Sequence, residues 1–146
     1  MAEGLFICFN KETLPESLGA SGIQYVHMPR LGGLRHARCD SVNAGWRNAS
    51  FRGYGDYIQT PEFEENFEKL LALGQEHRLA IMCAEAVPWR CHRSPIADAL
   101  TMLRVEVANI LTATRCDRHT LTPWARVEGR RITYPPESLP LDFKSK

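Results

Sequence analysis

The sequence predicts an α/β domain: an open, mostly parallel sheet flanked by helices in three layers, with a C-terminal hairpin. Three observations carry this expectation. Short apolar runs suited to strands alternate with stretches of helical period. The stretch from Leu79 to Ile110 reads strand, helix, strand, a βαβ unit whose crossover is expected to be right-handed. The most reactive segment of the chain, Cys83 to Ser94, follows directly on an apolar run. In open α/β sheets the loop leaving the carboxyl end of a strand is where ligands bind.

The elements follow in order. Leu5–Phe9 reads as a short buried strand. Thr13-Leu14-Pro15-Glu16 has the form of a capping box and opens a short helix ending near Gly19 or Gly22. Ile23–Met28 alternates and carries Ile, Tyr and Val, which predicts a strand. Residues 29 to 60 show no sustained periodicity and read as a long loop, which in a compact domain is usually functional or mobile. Thr60-Pro61-Glu62 opens the clearest helix, with Thr60 as cap and Phe63, Phe67, Leu70 and Leu71 on one buried stripe. It should stop between Gly74 and His77. Leu79–Cys83 is the next expected strand, Ser94-Pro95 starts a helix, and Val105–Ile110 reads as a strand. Ala125–Tyr134 resembles a hairpin turning near Gly129, and residues 137–146 read as a loose tail.

The 146 residues fit one domain, and a 44% hydrophobic, 24% charged composition is that of a globular chain. A formal net charge of +1 gives no support for a dedicated nucleic-acid binder. No apolar run approaches the roughly 20 residues that span a bilayer. The acidic start, Met1-Ala2-Glu3-Gly4, does not look like a signal peptide, so a cytoplasmic location is expected and no membrane partner. Five cysteines at irregular spacing, without a Cys-x-x-Cys pair, read as reduced thiols rather than a disulfide framework.

Leu31-Gly32-Gly33, the Tyr54–Phe63 segment, Cys83-Ala84-Glu85 and Cys91-His92-Arg93, in that order and spacing, resemble the domain of unknown function family 488. The resemblance runs from about Phe9 to Tyr134. It implies a three-layer α/β domain of bacterial or archaeal type without a settled activity. Members of that family typically begin with a further strand and helix and then a strand ending in Asp-Val-Arg. Here Leu5–Phe9 stands roughly in that last place and the tripeptide is missing, so the chain reads as shortened at its amino end.

The chemistry concentrates between Cys83 and Ser94. Cys91, His92 and Arg93 are expected at the amino end of the Ser94 helix, whose N–H groups and dipole attract anions. Arg93 adds a fork suited to phosphate or carboxylate. The same field favours the thiolate form of Cys91. The competing reading is a buried structural cysteine, with Arg93 paired to a core carboxylate. Glu85 is a candidate proton acceptor or nucleophile, or else an ion-pair partner of Arg90 or Arg93. Cys83 reads as a small core residue, or as a thiol partner of Cys91 if the loop folds back. Phosphatase-type spacing fails: six residues separate Cys83 from Arg90, and one separates Cys91 from Arg93. A zinc site from Cys83, Cys91 and His92 would need a fourth ligand, from His36 or Cys39, and adjacent Cys91 and His92 usually diverge. No metal and no cofactor are therefore expected.

The long loop adds candidate ligand contacts. Between Arg30 and Tyr57 five arginines stand against two acids, a net of +3, interleaved with Trp46, Phe51, Tyr54 and Tyr57. That mixture suits a phosphate joined to a ring, or equally a surface loop packing its aromatics inward. Gly32 and Gly33 would let backbone approach an anion, although a Gly-Gly pair is more often just a turn. His27 reads as a core or edge histidine, and His36, His77 and His119 as surface residues.

The expected function is an enzyme acting on an anionic small molecule, phosphorylated or nucleotide-like. Glu85, Cys91 and His92 are the candidate catalytic residues, with His92 as proton carrier. Arg93, Ser94, Gly32, Gly33, Arg35 and Tyr54 are the candidate ligand contacts. The rivals are a non-catalytic nucleotide- or nucleic-acid-binding module, with nucleic acid not favoured, and a redox-responsive thiol protein using Cys83 and Cys91.

Overall fold

The computed structural model describes residues 13–33, 35–83 and 91–136. Helix α1 (Leu14–Ala20) closes on a two-bond C-terminal motif: Gly22 N donates to Gly19 O at 3.0 Å and Ile23 N to Leu18 O at 2.9 Å. A 3₁₀ turn (Pro29–Leu31) leads into the long loop, and helix α2 (Ala49–Tyr57) emerges from it. Helix α3 (Pro61–Glu76) follows, then α4 (Arg93–Met102). Strands β1 (Ala108–Ile110) and β2 (Cys116–Arg118) form one antiparallel pair, β3 (Arg126–Glu128) and β4 (Arg131–Thr133) another.

Helix α3 follows its sequence closely. The Thr60 side chain accepts from Phe63 N at 3.2 Å, and Phe63, Phe67 and Leu70 are buried. The hairpin turns at Gly129 as its pattern implies, with Val127 opposite Ile132. One core joins these elements: Leu31, Trp46, Tyr54, Tyr57, Phe63, Phe67, Leu70, Ile96, Leu100, Ile132 and Tyr134 pack together. Trp46 is central, stacked on Phe51 at 4.7 Å and meeting Trp124 edge-on at 5.0 Å.

The chain is mixed α/β, but the described residues do not build an open, parallel, three-layer sheet. They hold two small antiparallel sheets. Ile23–Met28 is irregular, with Ile23 and Val26 exposed, and Leu79–Cys83 is equally without strand pairing. Only the last three residues of the Val105–Ile110 run form a strand. That strand pairs with β2, next along the chain, so no βαβ crossover is made. An apolar alternating run marks a segment able to be a strand but does not name its partner. A nearby antiparallel partner needs only a short turn, whereas a parallel one needs a long crossover. The expected first strand, Leu5–Phe9, and the expected tail lie outside the described residues.

The long loop contains a helix that periodicity missed. Asn48 caps α2, its side chain accepting from Ser50 N at 2.8 Å. Gly53 and Gly55 hide this helix, because glycine disfavours helical interiors. Gly53 is required by close approach: a Cβ there would stand 2.0 Å from Arg35 O. The helix carries Tyr54, Asp56 and Tyr57 inward, so the aromatics of this loop pack the core.

Candidate functional site

Helix α4 positions the reactive trio. Its first N–H groups are spent on the two residues before it. Arg93 N and Arg93 Nε both donate to Cys91 Sγ, at 3.3 and 2.8 Å. Ser94 N donates to Cys91 O at 3.0 Å, Pro95 has no N–H, and Ile96 N donates to His92 O at 3.3 Å. The helix start therefore faces the sulfur of Cys91 where the sequence predicts an external anion. Ser94, a candidate ligand contact, is buried and committed to this turn. Gly32 likewise uses its N–H to close the 3₁₀ turn on Pro29 O at 3.0 Å.

The long loop packs against this trio. Gly33 meets His92 so closely that a Cβ there would stand 2.9 Å from Nδ1. The rings of Tyr54 and His92 lie 5.4 Å apart. Tyr54 OH donates to Leu31 O at 2.8 Å, and Tyr57 OH to Arg30 O. The Arg35 guanidinium lies over the Tyr57 ring at 3.7 Å, its Nε donating to Gly32 O at 3.3 Å and its Nη2 to Arg30 O at 3.1 Å. Gly33, Arg35, Tyr54, Cys91, His92 and Arg93, chosen from separate stretches of sequence, thus share one neighbourhood. Burial, and then the charges of Arg93 and Arg35, hold the His92 imidazole below its ordinary value. Burial likewise raises the Tyr54 phenol far above its ordinary range.

Cys83 joins them. The thiols of Cys83 and Cys91 and a ring nitrogen of His92 all lie within 4.8 Å of one another. The premise that adjacent Cys91 and His92 diverge is thereby corrected. His92 caps α4 in the right-handed helical region (φ −59°, ψ −10°), and the tight turn there draws both side chains to one side. His36 and Cys39 are exposed and do not belong to the cluster. Glu85 lies outside the described residues, as does Arg90. A groove of about 760 Å³ adjoins the site. Arg93 lines it, together with Leu79, Ile81 and the Val105–Ile110 stretch.

A second polar cluster was not anticipated. Asp98, fully buried on α4, accepts His119 Nε2 (2.8 Å) and Thr122 N (3.0 Å) on Oδ1, and Thr122 Oγ1 (2.7 Å) and Tyr134 OH (2.8 Å) on Oδ2. His119, expected at the surface, has a side chain only 8% exposed. No periodicity marked this cluster: Asp98 lies opposite the Ile96 and Leu100 stripe, on a helix whose residues from Ser94 to Leu100 are all buried. His27, expected in the core or at a strand edge, is exposed in an irregular segment.

A mixed α/β domain with a thiol and imidazole centre at a helix start is thus the class of molecule that fold and site define. The model of one family, described as Domain of unknown function DUF488, matches residues 6–100, and the chain belongs to that family. The match takes in both the Gly32–Arg35 loop and the Cys91–Arg93 trio and ends within α4, short of the Tyr134 to which the motif resemblance extends. Searches of curated proteins and of solved structures return no match. Among the described residues no helix is long and apolar enough to cross a membrane.

Proposed function

We propose that this domain is an enzyme acting on an anionic small molecule, phosphorylated or nucleotide-like, where Cys91, His92 and Arg93 meet the Gly32–Arg35 loop. The observation that carries the reading is the pair of Arg93 donors on Cys91 Sγ. Two N–H donors converging on one sulfur hold it in a fixed orientation and would stabilise negative charge that develops there during a reaction. Cys91 is the reactive group in this reading. Glu85 remains the candidate proton acceptor on its sequence position alone.

The guanidiniums of Arg93 and Arg35 both lie near His92, which supports a reading with an anionic ligand. The adjoining groove has the capacity of a small-molecule site. Trp46, Tyr54 and Tyr57 are buried, which removes the rings that a stacking, single-strand-binding module would present.

The test uses adenosine monophosphate and pyrophosphate as probes. At least one is expected to raise the melting temperature, by mass action on the folded state. Arg35→Ala is expected to weaken that binding tenfold or more in calorimetry. Where a phosphorylated compound is turned over, Cys91→Ser should abolish turnover and leave binding largely intact. Neither probe shifting the melting temperature would remove the anionic-substrate reading. Binding with Cys91→Ser and Glu85→Gln both fully active would remove the proposed reactive groups.

A further inference from the structure

We infer that Cys83, Cys91 and His92 form a binding site for a zinc-class divalent ion. The inference reverses the expectation of a metal-free chain and holds whether or not a phosphorylated substrate exists.

The first support is geometric. Zinc takes sulfur at about 2.3 Å and imidazole nitrogen at about 2.0–2.1 Å, so a tetrahedral ion sets its donor atoms about 3.5–3.8 Å apart. The three donor atoms here lie within 4.8 Å of one another. Closing that gap takes about 1 Å of side-chain adjustment, which small torsional changes supply.

The second support is chemical. Two sulfurs and an imidazole nitrogen form a soft donor set that prefers zinc to magnesium or calcium. Two thiolates also balance the charge of a divalent ion.

The third support is the packing around the donors. Arg93 N and Nε–H donate to Cys91 Sγ, the outer hydrogen bonding that fixes a ligating sulfur in place. Gly33 leaves the space that the His92 ring fills beside the thiols. A disulfide between Cys83 and Cys91 would account for the two sulfurs, but it would leave the convergence of the imidazole without a role. The described residues thus supply three of the protein donors that an ion of this class takes.

The experiment titrates the full chain, reduced and freed of metal, with cobalt(II) as a spectroscopic stand-in for zinc. One equivalent is expected to bind, with sulfur-to-cobalt charge-transfer absorption in the near ultraviolet and tetrahedral bands in the visible. One equivalent of zinc should bleach both. Cys83→Ser, Cys91→Ser and His92→Ala should each weaken binding tenfold or more, while Cys39→Ser and Cys116→Ser leave it unchanged. His92→Cys guards against a variant that merely fails to fold: it should keep binding and strengthen the charge-transfer band. Binding equal in Cys91→Ser and the parent would overturn the site. So would a reduced, folded chain that takes up no cobalt or zinc, or a Cys83–Cys91 disulfide as the only chemistry of the pair. Cobalt binding without any response to adenosine monophosphate or pyrophosphate would leave the metal site standing and remove only the anionic substrate. The reverse pattern would remove only the metal.

Discussion

Helix α4 serves two polar clusters, at Asp98 and at His92 six residues before it, that obey opposite rules. At Asp98 a carboxylate is shut inside the core, and both oxygens are filled by partners from the 119–134 region. At the helix start, Cys91, His92 and Cys83 bring soft donors together beside a groove that Arg93 lines. The first cluster consumes its own hydrogen-bonding capacity. The second gathers sulfur and nitrogen atoms into a space that a single ion would fill.

The Asp98 cluster explains how so little regular sheet holds together. Tyr134 OH reaches Asp98, and Tyr134 N donates to Asn43 Oδ1 at 2.8 Å. Asn43 Nδ2 donates in turn to Asp56 Oδ1 at 2.6 Å, and Asp56 also accepts Ser41 Oγ and Arg38 N. One chain of bonds thus links α4, the β3–β4 hairpin, the long loop and α2. A buried polar network is stabilising only when every member is satisfied. Asp98 meets that condition, and this is why it reads as a lock and not as a catalytic acid.

The largest expected effect tests this division. Asp98→Ala should destabilise the fold by about 3–5 kcal/mol, since it strands buried donors on His119, Thr122 and Tyr134. Cys91→Ser, measured in the same urea unfolding series without metal, should cost about 1 kcal/mol or less. Equal losses for the two substitutions would erase the distinction between a structural and a functional cluster.

The second effect sharpens the lock itself. Tyr134→Phe removes one hydrogen bond from Asp98 and should cost about 1–2 kcal/mol in the parent chain. In the Asp98→Ala background the same change should be close to neutral, because the hydroxyl it removes already lacks its partner. A double-mutant cycle reads the difference as coupling. Equal costs in both backgrounds would show that Tyr134 acts through packing alone.

The two clusters also differed in how far the sequence exposed them. Cys83, Cys91, His92 and Arg93 stand close together in the chain, so their chemistry was visible as residue types at short spacing. What stayed hidden was their mutual geometry, because it depends on a tight turn at the α4 cap and on where Cys83 returns. The Asp98 network is assembled from partners 21 to 36 residues away, and no local pattern announces it. The same limit governs the secondary structure. Helix α3 was legible because its cap, first-turn proline and apolar stripe are all local, as is the β3–β4 turn at Gly129. Helix α2 was obscured because Gly53 answers a tertiary contact with Arg35 and not a helical preference. The parallel sheet failed as an expectation because strand partners are a long-range property.

The smallest effect on stability should fall at Gly33, where it separates the two kinds of cluster most cleanly. A methyl group there would stand 2.9 Å from His92 Nδ1 and 3.3 Å from Cγ, closer than such atoms normally approach. The obstacle is a side-chain ring and not backbone, so the ring can tilt away. Gly33→Ala should therefore cost about 1 kcal/mol or less in urea unfolding, while turning the imidazole out of line with the two sulfurs. The cobalt charge-transfer signal should persist, carried by Cys83 and Cys91, but at tenfold or more weaker affinity. Asp98 shares no contact with Gly33 in the hydrogen-bonded network, so the Tyr134→Phe cost should be the same in this background as in the parent. A large loss of stability in Gly33→Ala with metal affinity unchanged would mean that the His92 ring serves packing, and that the thiols act without it.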